Sequence, residues 1–363
     1  MKRIMSDEIA DALREELQGG RYRTEEPLPS VDALRMRFAA GEYAVRSALH
    51  KLRDEGLVTV KKHVGVMPTG KSLFAWKGHV AFVHTSTNSA YFPQRLSVQL
   101  ARRFETAGWA MHSVFLEANS DGQINAELLM QHVACGLSFA VVMSEFRQIA
   151  EILDKAGVPY VVVDGYTRDF PNARAVIKND ISDCHAELIG FMKKRGMKTM
   201  LEVDFERRKD RTFKQQLFNA GIAVRRELCK FNNETVFSLR VVRELGYRAV
   251  ERFLAGANGR LPDVILFDDD YLAVGGTLAL LAAGVRIPHD VSVVSYSNHG
   301  DEMLVGIPCS RIENDPVALG DGIAKYVVAF LEGSKASPPR NKWRFVPDGS
   351  GCRRSQSSLL HLA

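Results

Sequence analysis

The 363-residue chain is short of the residues that mark many protein classes. Its five cysteines (Cys135, Cys184, Cys229, Cys309 and Cys352) are scattered, with no CxxC pair. That pattern argues against a disulfide framework or a structural zinc site and fits a reducing compartment. The ten histidines form no ligand-spaced cluster. No apolar run approaches the roughly 20 residues of a membrane-spanning helix. The opening MKRIMSDEIADALREEL places acids where a secretory signal needs an apolar core. A cytoplasmic protein with no membrane partner is therefore expected. Catalytic signatures are missing as well: there is no GxSxG, no GxxxxGK[ST], no HExxH, and no GxGxxG after the first strand of the body. Asp268-Asp269-Asp270 offers hard oxygen ligands, but three successive side chains cannot all face one ion. The expectation is a non-enzyme with no cofactor and no metal.

What is present is an ordinary globular composition, 46% apolar and 25% charged, with net charge +5. The length exceeds one ordinary core, so at least two domains are expected. Residues 1–70 hold 12 Lys+Arg and 11 Asp+Glu, so this part carries only +1. Any nucleic-acid signal there must come from the placement of charge, not its sum.

Residues 28–58 are the organising stretch. Ser30 is a plausible N-cap for a short helix, and Phe38–Gly41 turns it into a second one. That second helix carries Val45, Leu49 and Leu52 on one face, against Glu42, Arg46, His50 and Arg53 on the other. Upstream, Ile9, Leu13 and Leu17 predict an amphipathic helix over 4–18, with Ser6 near its start and Gly19-Gly20 at its end. Downstream, residues 57–60 and 64–67 read as two strands around Lys61-Lys62-His63. Three helices and a basic-tipped hairpin make a winged helix-turn-helix.

This stretch resembles the GntR-type winged-helix head. It keeps Leu28-Pro29-Ser30, Phe38, Val45-Arg46, Ala48-Leu49, Leu52 and Glu55-Gly56-Leu57 of that pattern. It departs where the family's DNA-contacting arginine falls on Asp32 and its Ser-Arg pair on Gly41-Glu42. Ala44 replaces a threonine, and His63 replaces the first wing glycine, with Gly65 kept. The resemblance implies a DNA-facing set of Ser30, Glu42, Tyr43, Arg46, His50, Lys51, Lys61, Lys62, His63 and Gly65. In that set Glu42 would accept from a cytosine amino group, and Arg46 would read guanine or clamp a phosphate. The competing reading is a head that has lost sequence-specific DNA binding and keeps a structural or scaffolding role.

After a connector at 71–77, strands and helices alternate. Strands are expected at 79–84, 110–115, 139–143, 160–163, 199–203, 264–267 and 292–296, with helices at 94–107, 125–134 and 149–156. Repeated βαβ units imply parallel sheets covered by helices, and the length suits two lobes around a cleft. The expected class is α/β: an N-terminal winged helix-turn-helix (1–70) and a two-lobed, type I periplasmic-binding-protein-like body (78–355).

The body resembles the LacI-type effector domain. HVAFVHTSTNSAYF, GVPYVVVDG (157–165), LPDVILFDDDYLAVGG, VRIPHDVSVVSYSN and Arg353-Arg354-Ser355 stand in that family's order and spacing. The whole plan resembles the arabinose-repressor type of bacterial regulator. The resemblance implies a repressor that pairs as a homodimer on operator DNA and binds a sugar or sugar derivative. Candidate ligand residues are Asn88, Tyr91, Phe92, Asp164, Lys209, Arg211, Asp269, Asp270 and Ser297. The aspartate of the family's GFDD turn is here Ser297, the asparagine of its Asn-Asp turn is Asp269, and its ligand-facing arginine falls nearest Lys209. Tyr91 and Phe92 either stack on a sugar or plug the lobe interface. Arg208–Arg211 is either a ligand clamp or a solvated helix start.

Overall fold

The computed structural model describes residues 5–18, 21–70, 76–85, 90–117, 124–143, 147–164, 169–205, 211–230, 238–257, 260–301 and 306–348. The chain divides into two compact units, Met1–Lys77 and Gly78–Ala363.

The first unit contains α1 (Ser6–Gln18), α2 (Val31–Phe38), α3 (Glu42–Asp54) and an antiparallel hairpin of β1 (Val58–Lys61) and β2 (Gly65–Pro68). Ser6 is the first helical residue and not the cap. Met5 N–H instead donates to the Glu8 carboxylate at 3.0 Å. Ser30 does cap α2, accepting from Ala33 N–H at 3.2 Å. Ile9, Leu13, Leu34, Val45, Ala48 and Leu52 are fully buried together. Each large apolar side chain there contributes about 1.5–3 kcal/mol by leaving water. Glu55, just after α3, accepts from Arg14 of α1 through two bonds of 3.0 and 2.7 Å. At the wing tip His63 has φ +66° and Gly65 φ +123°. Lys61 ends β1 and is not part of the tip.

The second unit begins with β3 (His79–His84), α4 (Tyr91–Thr106), β4 (Ala110–Phe115), α5 (Glu127–Ala134), β5 (Leu137–Met143), α6 (Arg147–Lys155), β6 (Tyr160–Val163) and β7 (Ala175–Ile177). These strands form a parallel sheet in the order β4-β3-β5-β6-β7. Both faces are covered. Val80 and Phe82 pack toward α4, whereas Ala81 and Val83 pack on the opposite side with Leu129 and Ile149. After β8 (Asn179–Asp180) come α7 (Ser182–Lys194), β9 (Thr199–Phe205), α8 (Arg211–Asn219), β10 (Ala223–Cys229), α9 (Leu239–Gly256), β11 (Val264–Phe267), α10 (Asp270–Ala282), β12 (Ser292–Asn298) and β13 (Cys309–Asn314). The chain ends its described part with α11 (Pro316–Leu331), β14 (Asn341–Lys342) and β15 (Arg344–Val346). The second sheet runs β10-β9-β11-β12-β13-β15, parallel except for β15.

Among the described residues, the chain passes between the lobes three times. The first passage follows β7, at β8; residues 157–165 lead only to β6, so the crossing comes later than the sequence suggests. The second is at Asp315, which caps α11 by accepting from Val317 and Ala318 N–H, both at 3.0 Å. Helix α11 then returns to the first lobe, where Leu319, Ile323 and Val327 join the core of Phe82 and Leu100. The third runs back through β14, which pairs in parallel with β8. Asn341 donates to Asn179 at 2.6 Å, binding the first and third passages together.

Candidate functional site

On the head, the expected division of α3 is present: Val45, Ala48, Leu49 and Leu52 are buried, and Glu42, Tyr43, Arg46 and His50 are exposed. Tyr43 is the extreme case at 87% exposure, an apolar ring standing in solvent at the first turn. Lys61, Lys62, His63 and Gly65 of the wing are also exposed. Four charges of this face are paired with one another. Arg46 Nε donates to Glu42 at 2.8 Å, and Arg35 lies 3.1 Å from Asp32 and 3.9 Å from Glu42. The Arg46 guanidinium holds the Glu42 carboxyl below its ordinary range. Asp32 and Glu42 thus share Arg35 and Arg46 in a chain of four charges that sums to zero. Two of the expected DNA contacts have local structural uses. Ser30 spends its hydroxyl on the α2 cap, and Lys51 turns to Asp7 and Ser6 of α1.

In the body, a cavity of about 220 Å³ opens between the lobes at the carboxyl ends of the strands, where doubly wound folds place ligands. Phe92, Met143, Val163, Asp164 and Asn179 line it from the first-lobe side, and Asp268, Asp269, Asp270, Tyr296, Ser297, Asn298, Asn314 and Trp343 complete it. Of the candidates, Phe92, Asp164, Asp269, Asp270 and Ser297 meet there. Tyr91 does not line it. Its backbone N–H meets the Tyr271 hydroxyl at 3.3 Å, and its own hydroxyl donates to the His299 carbonyl at 3.3 Å, so Tyr91 ties the lobes together. Asn88 and Lys209 lie outside the described residues, as does the Arg211 side chain.

Each wall residue has a local reason for its position. Asp164 follows β6 with φ +58°, a left-handed conformation that Asp tolerates better than most residues. Asn179 of the first crossing donates to its carboxylate at 2.8 Å. Asp269 is the N-cap of α10, accepting from Tyr271 and Leu272 N–H at 2.9 and 3.2 Å. Capping takes up one of its carboxylate oxygens. Asp270 is 5% exposed. It accepts from Tyr271 N–H at 3.0 Å and from the Asn298 amide at 3.1 Å. Burial, then the charges of Asp269 and Asp301, push its carboxyl up to about 8. Three buried polar atoms on these walls have no partner among the described residues: Ser297 Oγ, Asn314 Oδ1 and Trp343 Nε1. Buried polar groups are nearly always satisfied, which makes these three atoms candidates for contacts across the cavity. Behind them Tyr296 is fixed by His185, at 2.5 Å, and meets Trp343 edge to face.

Of the cavity lining, sequence reading singles out none of Met143, Val163, Asn179, Tyr296, Asn314 and Trp343. Met143 and Asn314 end β5 and β13, so the strand-end rule reaches Asn314 only once β13 is recognised. Asn179 and Trp343 reach the wall through the crossings, for which the sequence carries no local signal.

The two units define a class: a winged-helix head joined to a two-lobed α/β body with a ligand-type cleft. Residues 5–67 match the family "Bacterial regulatory proteins, gntR family", and residues 197–347 match "Periplasmic binding protein-like domain". The head thus carries the gntR-family match and the second lobe of the body the periplasmic-binding-protein-like match. The chain is 25% identical over 207 residues to Catabolite control protein A of Staphylococcus aureus, covering 55% of this chain and 60% of that protein. Its head is similar to the Probable HTH-type transcriptional repressor ExuR of Bacillus subtilis, at 37% identity over 57 residues and 16% of each chain. The crystal structure of a LacI family transcriptional regulator from Bifidobacterium animalis subsp. lactis shares the fold at TM-score 0.61 and 15% identity, covering 76% of this chain and 98% of that one. Among the described residues, no helix is long and apolar enough to cross a membrane.

Proposed function

We propose that this chain is a ligand-responsive, DNA-binding transcriptional regulator, acting as a repressor in the cytoplasm. Its head binds operator DNA as one half of a homodimer, and its cleft binds a sugar or sugar derivative. The observation that carries this reading is the cleft itself: Ser297 Oγ, Asn314 Oδ1 and Trp343 Nε1 are buried there without partners among the described residues, in a chain that also bears an exposed recognition helix. The names of the relatives, a catabolite control protein and a transcriptional repressor, support it. The assignment gives the cleft a binding role and no chemistry.

The mechanism follows from the three passages between lobes. A ligand that binds one lobe arrangement better than the other shifts their populations. Two heads on a two-fold dimer match two half-sites, so a change in their spacing changes operator affinity. On DNA, Arg46 exchanges Glu42 for a base edge or phosphate, and Glu42 is freed to accept from a cytosine amino group.

The Asp32–Arg35–Glu42–Arg46 pairing favours a second reading, a ligand-sensing or scaffolding protein without sequence-specific DNA binding. Selection from random duplexes at moderate salt, with and without sugars, separates the two. The regulator reading requires an enriched motif, weakened across all sequences by Arg46→Ala with a salt slope smaller by about one. It also requires relaxed preference at one base pair in Glu42→Ala. A selection that enriches nothing in any condition leaves only the second reading.

A further inference from the structure

We infer that the effector of this cleft carries a protonated amine, as an amino sugar or an amino polyol of similar size does, with Asp270 as its counter-ion. The inference rests on the cleft being an effector site and goes further by naming the ligand's charge. Asp270 is buried, yet among the described residues none of its hydrogen-bond partners is a cation: they are the Asn298 amide and the Tyr271 N–H. A buried acid without a cationic partner rests in its protonated form and becomes a carboxylate when a cation arrives, and here the side chain lines a cavity open to one. Two aromatic rings line the same cavity at a steep angle. Tyr296 and Trp343 have centroids 5.8 Å apart and planes inclined by 71°. Aromatic faces carry negative charge density and attract ammonium groups, the more so where water is excluded. Ser297, 8% exposed, and Asn314, 3% exposed, each present an unpartnered oxygen. Those oxygens suit the several N–H donors of an ammonium group. Trp343 Nε1–H is left to donate to a ligand hydroxyl.

The charge of the ligand fixes the sign of a pH dependence. Without ligand, burial and the neighbouring carboxylates keep Asp270 largely protonated at neutral pH. An ammonium ligand favours the carboxylate, so binding expels a proton and affinity climbs as pH rises from about 5 to about 7. A neutral sugar accepting a bond from the Asp270 carboxylic acid instead binds with no pH dependence over that range and loses affinity only as pH rises past about 8.

The test is calorimetric titration of the full-length protein with glucosamine, galactosamine and mannosamine. Glucose, galactose, mannose, N-acetylglucosamine and glucuronate are run beside them, in two buffers of different ionisation heat. The expected result is at least about tenfold tighter binding of one amine than of its hydroxyl and N-acetyl counterparts, with proton release. Both effects should vanish in Asp270→Asn, whose unfolding transition shows it folded. A neutral or acidic sugar bound more tightly, in a manner sensitive to Asn314→Ala, overturns the amine and leaves the effector cleft standing. Amine binding that is indifferent to Asp270→Asn also overturns it. If no sugar of any class binds, the amine and the carbohydrate reading fall together.

Discussion

At the scale of single residues, the sequence names chemical groups but not their partners. Asp270 stands in a run of three aspartates that look alike in sequence. Only the fold makes Asp269 a helix cap and Asp270 a buried acid. The consequence is measurable. Because the folded-state carboxyl lies near 8 and the ordinary value is 3.8, the folded state holds the proton more tightly between those limits. The stability this proton contributes is therefore complete below about pH 4 and is lost as pH rises toward 8. Asp270→Asn lacks this titration. Chemical unfolding should find variant and parent sloping apart from about pH 4 upward. By pH 9 the variant should be the more stable by a few kcal/mol, since each tenfold difference in proton affinity is worth about 1.4 kcal/mol. Parallel profiles would show that Asp270 titrates normally. Tyr91 teaches the complementary lesson. An aromatic residue beside a strand end looks like a sugar platform, and its bonds to Tyr271 and His299 make it a tie between lobes.

At the scale of elements, the amphipathic pattern of α3 and the near-continuous apolar strands are legible because burial imposes a period on the side chains. Helices α7, α9 and α11 are not. Small residues on some helices serve packing that a one-dimensional pattern does not show. Gly246 of α9 and Gly275 of α10 show why. A Cβ on Gly275 would stand 1.8 Å from the Arg243 carbonyl oxygen, and one on Gly246 2.1 Å from that of Leu272. The two helices therefore touch backbone to backbone. Gly275→Ala should force them apart and destabilise the body by at least about 1–3 kcal/mol, seen as a lowered thermal transition. An unchanged transition would mean the helices can separate without loss.

At the scale of the whole molecule, function depends on surfaces that one chain leaves unfilled. Helix α10 presents Leu278 and Leu281, three residues apart and 54% and 48% exposed. A second copy of the chain is the partner that the proposed dimer supplies for them. Leu281→Glu should shift the protein toward monomer in sedimentation velocity and weaken its grip on a two-half-site operator, while ligand binding persists. A variant that stays dimeric would move the interface elsewhere.

The sequence by itself determined the order of the parts: a three-helix head with a wing, then βαβ units enough for two lobes. Periodicity, caps and turn residues act over a few positions, and so they survive in one dimension. Tertiary structure alone decided which residues meet. Asn179, Asn314 and Trp343 lie far apart in the chain and share one cavity wall only because the backbone crosses between lobes three times. It likewise decided that Lys51 of α3 reaches Asp7 of α1. Local forces write the elements, and long-range packing sets the distances on which recognition depends.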